Sequence, residues 1–367
     1  MTRPLLRPLA FALALALALL ALAPAALATA QPPAPATPTP TRAEMLGQRM
    51  MVSFTGTTPS AALLSRITAG QVGGVILFGS NIKSASQLLS LTRKLQAAAR
   101  AGTRPRLLIA TDQEGGLVRR LPWAPPAASA QQLGTTSTAH IRSVGHAAGV
   151  ALRQAGVNLD LAPVADVPRR SDNFLLAQHR AFSTSRFVVA DDTAAFAKGL
   201  EGGGVLPAYK HFPGLGRAGA TSTDDAVVHI DATTTQIGRD LLPYRIALRR
   251  TLRPVIMLST AVYPAYSSNA AAWSPAIVQT LLRGRLGFGG VTITDALSAA
   301  ASVRGTTPGK LAVRSARAGA DVLLVTGSDA TSQAAFNRLL KAARSGAIPA
   351  SNLQASYNRI LRLKSRL

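Results

Sequence analysis

The chain has 367 residues, none of them cysteine, and 40 Lys and Arg against 16 Asp and Glu, a net charge of +24. The missing cysteines exclude a disulfide framework, a thiolate zinc site and a lipid-modified cysteine anchor. The charge favours anionic wall polymers or a membrane surface, although an arginine-rich background composition would give the same count; nucleic acid is not expected, because the arginines are scattered and no basic-aromatic module is present.

Residues 1–30 read as a secretory signal peptide. Arg3 and Arg7 precede an alanine- and leucine-rich run over 9–22, and Ala28-Thr29-Ala30 fits a small-residue cleavage site. The length of the apolar run leaves a retained membrane anchor as the alternative. Residues 31–42, rich in Pro, Ala and Thr, form a stiff extended linker. Residues 43–367 are expected to be one catalytic domain, with no transmembrane segment after cleavage. The protein is therefore expected to be secreted or associated with the cell wall.

Apolar runs of strand length alternate with helix-period segments along that domain. Strands are predicted at 50–54, 74–78, 107–111, 159–162, 205–209, 255–259, 291–294 and 321–325. Helices are predicted at 84–100, 140–155, 192–200, 236–248, 274–286, 310–318, 333–343 and 351–362. Eight near-continuous apolar strands with helical connections predict an α/β fold, a single (β/α)8 barrel of the TIM type. A doubly wound open sheet is the rival, but no Gly-x-Gly-x-x-Gly follows the first strand.

In such a barrel the chemistry sits at the C-terminal strand ends. The third strand ends in Thr111-Asp112-Gln113-Glu114-Gly115-Gly116, followed by Arg119-Arg120, and the fourth leads into Pro163-Val164-Ala165-Asp166-Val167. The fifth gives Lys210-His211-Phe212-Pro213-Gly214, and the seventh gives Thr294-Asp295-Ala296-Leu297. Asp295 is well placed as a nucleophile, with a cap for the next helix as the alternative. Asp112 and Arg120 could grip sugar hydroxyls or form a loop-fixing salt bridge. Lys210 and His211 could hold the same ring, with a purely structural role for His211 as the plainer reading.

These motifs, together with Gly73-Gly74-Val75-Ile76, Arg180-Ala181-Phe182, Gly287-Phe288-Gly289-Gly290 and Ala318-Gly319-Ala320-Asp321, carry a resemblance. From about Leu46 to about Val325 the chain resembles the bacterial β-N-acetylglucosaminidase (β-hexosaminidase) branch of glycoside hydrolase family 3. The resemblance implies a carbohydrate substrate, a wall-derived amino sugar such as a peptidoglycan fragment. It implies a retaining mechanism with a covalent glycosyl-enzyme and no metal or organic cofactor. Asp295 would be the nucleophile; Asp112, Arg120, Arg180, Lys210 and His211 would hold the sugar.

The pattern breaks in one loop. The branch carries His-Gly and then Asp-Ser-His after Lys-His-Phe-Pro-Gly, and its last histidine is the acid/base. Here Leu215 replaces the first histidine, and Thr223-Asp224-Asp225-Ala226 puts an alanine at the last; Leu117 stands where the branch has arginine. Three readings follow. Asp224 or Asp225 acts directly with a pKa raised by burial, His229 swings in, or the barrel binds glycan and turns over poorly. The functional alternatives are thus an inactive glycan-binding barrel and, lastly, a β-glucosidase-like specificity.

Overall fold

The computed structural model describes residues 40–367, which form one compact unit. The expected signal peptide and all but the last residues of the expected linker lie outside the described residues. The described residues open with a capping box: the Thr41 side chain accepts from the Glu44 backbone N–H and the Glu44 carboxylate accepts in return, opening the helix Arg42–Gly47.

All eight predicted strands form. They are β1 (Met50–Val52), β2 (Gly74–Ile76), β3 (Leu108–Thr111), β4 (Leu159–Asp160), β5 (Leu206–Phe212), β6 (Val255–Leu258), β7 (Thr292–Thr294) and β8 (Leu323–Val325). Every pairing is parallel, in the order β7-β6-β5-β4-β3-β2-β1-β8. The ring closes between β7 and β8, where Thr294 N–H donates to Val322 O at 2.9 Å and Val322 N–H to Thr292 O at 2.8 Å. The protein is a single (β/α)8 barrel.

Alternation along the strands divides the core. Met50, Val52, Val75 and Ile109 face the outer helices. Met51, Ile76, Leu108, Leu159, Leu206, Met257, Ile293 and Leu324 fill the interior. Ile360 and Leu363 of the last helix, Ala350–Lys364, join that inner cluster and close the barrel floor.

The eight predicted helices also form, with altered bounds. The segment 236–248 is two helices, Thr234–Asp240 and Leu242–Arg250, because Pro243 starts a new first turn. The segment 274–286 is a wide π-type helix, Ala276–Arg285. Strand β5 runs further than expected and includes Lys210 and His211, so both project from the barrel wall and not from the loop beyond it. Lys210 tolerates full burial there because two carboxylates meet it.

Candidate active site

The polar strand ends converge on one cavity of about 240 Å³ at the C-terminal mouth of the barrel. Its floor is apolar, made by Ile76, Leu161, Met257 and Leu324 from the barrel interior. Asp112, Arg120, Arg180, Lys210, His211, Asp224 and Asp295 all stand on its wall. Of the residues singled out by sequence, only Asp225 and His229 fall outside it.

Lys210 is the hub. Its Nζ lies 2.8 Å from Asp112 Oδ1 and 2.7 Å from Glu114 Oε1. Burial disfavours the ammonium ion, but these two carboxylates outweigh burial and raise its pKa. Arg180 grips Glu114 with two parallel bonds of 2.8 Å, from Nε and Nη2. Burial pushes Glu114 up, yet Lys210 and then Arg180 prevail and hold it down at about 2. Beneath this cluster Asp160 is fully buried. Its Oδ1 accepts from Gln113 N–H at 2.9 Å, while Oδ2 has no partner among the described residues, and burial pushes its pKa up to about 8.

His211 Nδ1 donates to Asp166 Oδ2 at 2.7 Å, which leaves Nε2 as the ring nitrogen available to a ligand. The other oxygen of Asp166 accepts from the backbone N–H groups of His211 (3.2 Å) and Leu215 (2.6 Å). One buried carboxylate thus orients the imidazole and pins the loop that follows β5. Arg120 makes no ion pair with Asp112, whose partner is Lys210. Arg120 lines the cavity wall, and its buried Nε has no hydrogen-bond partner among the described residues.

Asp295 follows β7 directly and is half-buried, with Oδ1 accepting from Ala296 N–H at 2.7 Å. It does not cap the next helix: Leu297–Ser302 begins from Ala296 with no side-chain cap. The loop 220–227 brings Ser222, Thr223 and Asp224 to the cavity. Asp224 is exposed as a whole residue but lines the cavity, and partial desolvation there and then the charge of Asp295 raise its pKa. Asp225 turns away, accepting from the Ser222 hydroxyl at 2.6 Å. His229 is exposed and its backbone pairs with Val262. Among the described residues no group of three or more His, Asp or Glu side chains could hold a metal ion.

Sequence reasoning left Glu114 and Asp166 inside their motifs without a role. Glu114 was within reach, since it stands two residues beyond Asp112 and so on the same face of an extended segment. Phe174 and Gln178 come from a one-turn helix and its cap, and Ser222 and Thr223 from an irregular loop, where no period marks them.

A cavity ringed by carboxylates and cations, at the C-terminal mouth of a parallel barrel, is the layout of a glycoside hydrolase. The chain belongs to glycosyl hydrolase family 3: residues 41–363 match the Glycosyl hydrolase family 3 N terminal domain. It is 37% identical over 334 residues to an uncharacterized secreted glycosyl hydrolase of Arthroderma benhamiae, covering 89% of this chain and 94% of that one. It is 31% identical over 319 residues to beta-hexosaminidase A of Pseudoalteromonas piscicida, covering 77% of this chain and 53% of that one. The family 3 beta-N-acetylglucosaminidase of Paenibacillus sp. str. FPU-7 superposes with a TM-score of 0.84 at 30% identity, over 89% of this chain and 63% of the other. The chain therefore spans between half and two thirds of the last two. It is a glycosidase of the β-N-acetylhexosaminidase-like type, and no helix among the described residues is long and apolar enough to cross a membrane.

Proposed function

We propose that the protein is an exported, retaining β-N-acetylhexosaminidase that removes a terminal amino sugar from wall-derived glycans such as peptidoglycan fragments. The observation that carries the reading is the pairing of Asp295 with Asp224 on one small cavity wall. The small cavity suits a single ring better than an internal stretch of polymer. Secretion is supported by the description of the Arthroderma relative and by the character of residues 1–30.

In the first step an Asp295 oxygen bonds to the anomeric carbon as the glycosidic C–O bond breaks. The proton goes from the Asp224 carboxyl to the leaving oxygen. The negative charge of Asp295 helps keep that proton on Asp224 beforehand. Once Asp295 is an ester that charge is gone, so the pKa of Asp224 falls and it can accept a proton from the attacking water. Asp112, Arg120, Arg180, Lys210 and His211 hold the ring, with Glu114 and Asp166 fixing three of them. The alanine at position 226 then matters little, because Asp224 takes over the proton.

The test uses aryl N-acetyl-β-glucosaminides with leaving groups of graded acidity. Asp295→Ala is expected to abolish turnover. Asp224→Asn is expected to lose roughly 10²- to 10⁴-fold on poor leaving groups and far less on good ones. Asp225→Asn is expected to stay near the parent rate. Saturable sugar binding with no turnover in the parent protein would replace this reading with the glycan-binding barrel.

A further inference from the structure

Two adjoining cavities lie away from the sugar site. One, of about 300 Å³, opens at the start of β6 and β7, the end of the barrel opposite the active site, and is walled by Arg253, Arg362 and Arg366. The other, of about 710 Å³, runs between the helix Leu242–Arg250 and the π-type helix and is walled by Arg245, Arg249 and Arg285. Leu248 and Gly287 line both, so the two make one continuous trough.

Among the described residues none of these six arginines forms an ion pair with a carboxylate. Arg359, which also reaches the first cavity, is by contrast committed to Asp321. Like charges gathered along one surface repel one another, and an anionic occupant would relieve that repulsion. At Gly287 and Gly289 the space a Cβ would take is empty, so the backbone of this turn is open to the trough.

We propose that the trough binds a linear phosphodiester polyanion, of the polyol-phosphate class found as anionic wall polymer, independently of the sugar site. Guanidinium forks match phosphate oxygens in pairs. The extension over two cavities suits a chain of repeated charges better than a single ion. Single-stranded nucleic acid is the poorer fit, because it needs exposed aromatic platforms; the aromatics here are Tyr266, half-buried, and Phe288, which is only 5% exposed.

The experiment measures binding of a defined glycerol-phosphate oligomer to the whole protein by calorimetry at two salt concentrations. A variant with Arg249→Ala, Arg285→Ala, Arg362→Ala and Arg366→Ala is compared with one carrying Arg93→Ala, Lys94→Ala, Arg100→Ala and Arg344→Ala. Both lose four exposed charges, and melting curves check that both fold. The trough variant is expected to bind at least about tenfold more weakly, with a shallower salt dependence, while the control variant stays near the parent. Equal losses in the two variants, or no binding by the parent, would overturn the proposal. So would an equally tight, equally trough-dependent grip on a DNA strand of the same charge.

Discussion

Lys210 and Glu114 show how far one residue's state depends on residues distant in sequence. Lys210 reaches full burial on β5 only because Asp112 and Glu114, from the turn after β3, arrive opposite it. Lys210→Met would leave Glu114 with Arg180 alone and Asp112 with no cation among its described ion pairs. Removing one partner of a buried pair typically costs ~3–5 kcal/mol, and a urea titration against the parent would measure it. Glu114 and Asp160 pull stability in opposite directions with pH. The depressed pKa of Glu114 gives stability above its ordinary value of 4.5 that is lost as pH falls toward about 2. The raised pKa of Asp160 works the other way: its contribution is complete below 3.8 and is lost as pH rises toward about 8. Asp160→Asn is therefore expected to leave stability almost unchanged at pH 4 and to raise it increasingly up to pH 8, read as the urea midpoint at each pH. A general acid works only while protonated, so if Asp224 fills the proposed role the rate is expected to fall as pH rises through its raised pKa. The Asp224→Asn variant should lack that alkaline limb in kcat/KM. Much of this site was legible, because strand ends in a parallel barrel point to one place. The pairing of Lys210 with Glu114 was not, since it depends on how two separate strands register.

At the scale of elements, length decided what could be read. Strands of four or five apolar residues and helices of three or more turns stood out by period. The short helices Ala130–Leu133 and Phe174–Ala177 did not, being about one turn long. The most intimate helix contact was also hidden. Thr138–Gln154 and Arg186–Gly202 cross with backbones in contact: a Cβ on Gly145 would come 2.4 Å from Phe196 O, and one on Gly199 would come 2.3 Å from Arg142 O. Both glycines look like weak points in a helix when read alone, since glycine costs ~1 kcal/mol against alanine there. Packing reverses that sign. Gly199→Ala is expected to destabilise by about 1–3 kcal/mol through overpacking, against the direction of helix propensity, and a denaturation midpoint decides between the two.

For the whole molecule, the eightfold alternation of strand and helix carried the architecture, because only a closed parallel barrel covers eight strands apolar on both faces with helices on one side. What alternation could not show was how the floor is sealed. Ile360 and Leu363 come from the final helix, and Lys364, fully buried beside them, donates to Gln48 Oε1 at 2.7 Å and Gly73 O at 2.6 Å. Burial brings Lys364 down to about 7. Ile360→Ala opens a cavity inside the barrel and is expected to cost roughly 2–5 kcal/mol, with the loss visible in a thermal melt before any effect on the sugar site.

The pairing of the first strand with the last also sets a timetable. β1 pairs with β8, and Arg49 beside it donates to the carbonyl of Asp321, 272 positions further along. Contacts so distant in the chain must wait for loop-closure entropy to be overcome, and they fold slowly. At ribosomal speeds of about 5–20 residues per second, the first strand waits on the order of tens of seconds for its second neighbour to be made. Throughout that time the edge of β1 that meets β8 has no partner strand in the nascent chain. A barrel that cannot finish early is well matched to the export proposed above, which would have it fold on the far side of a membrane.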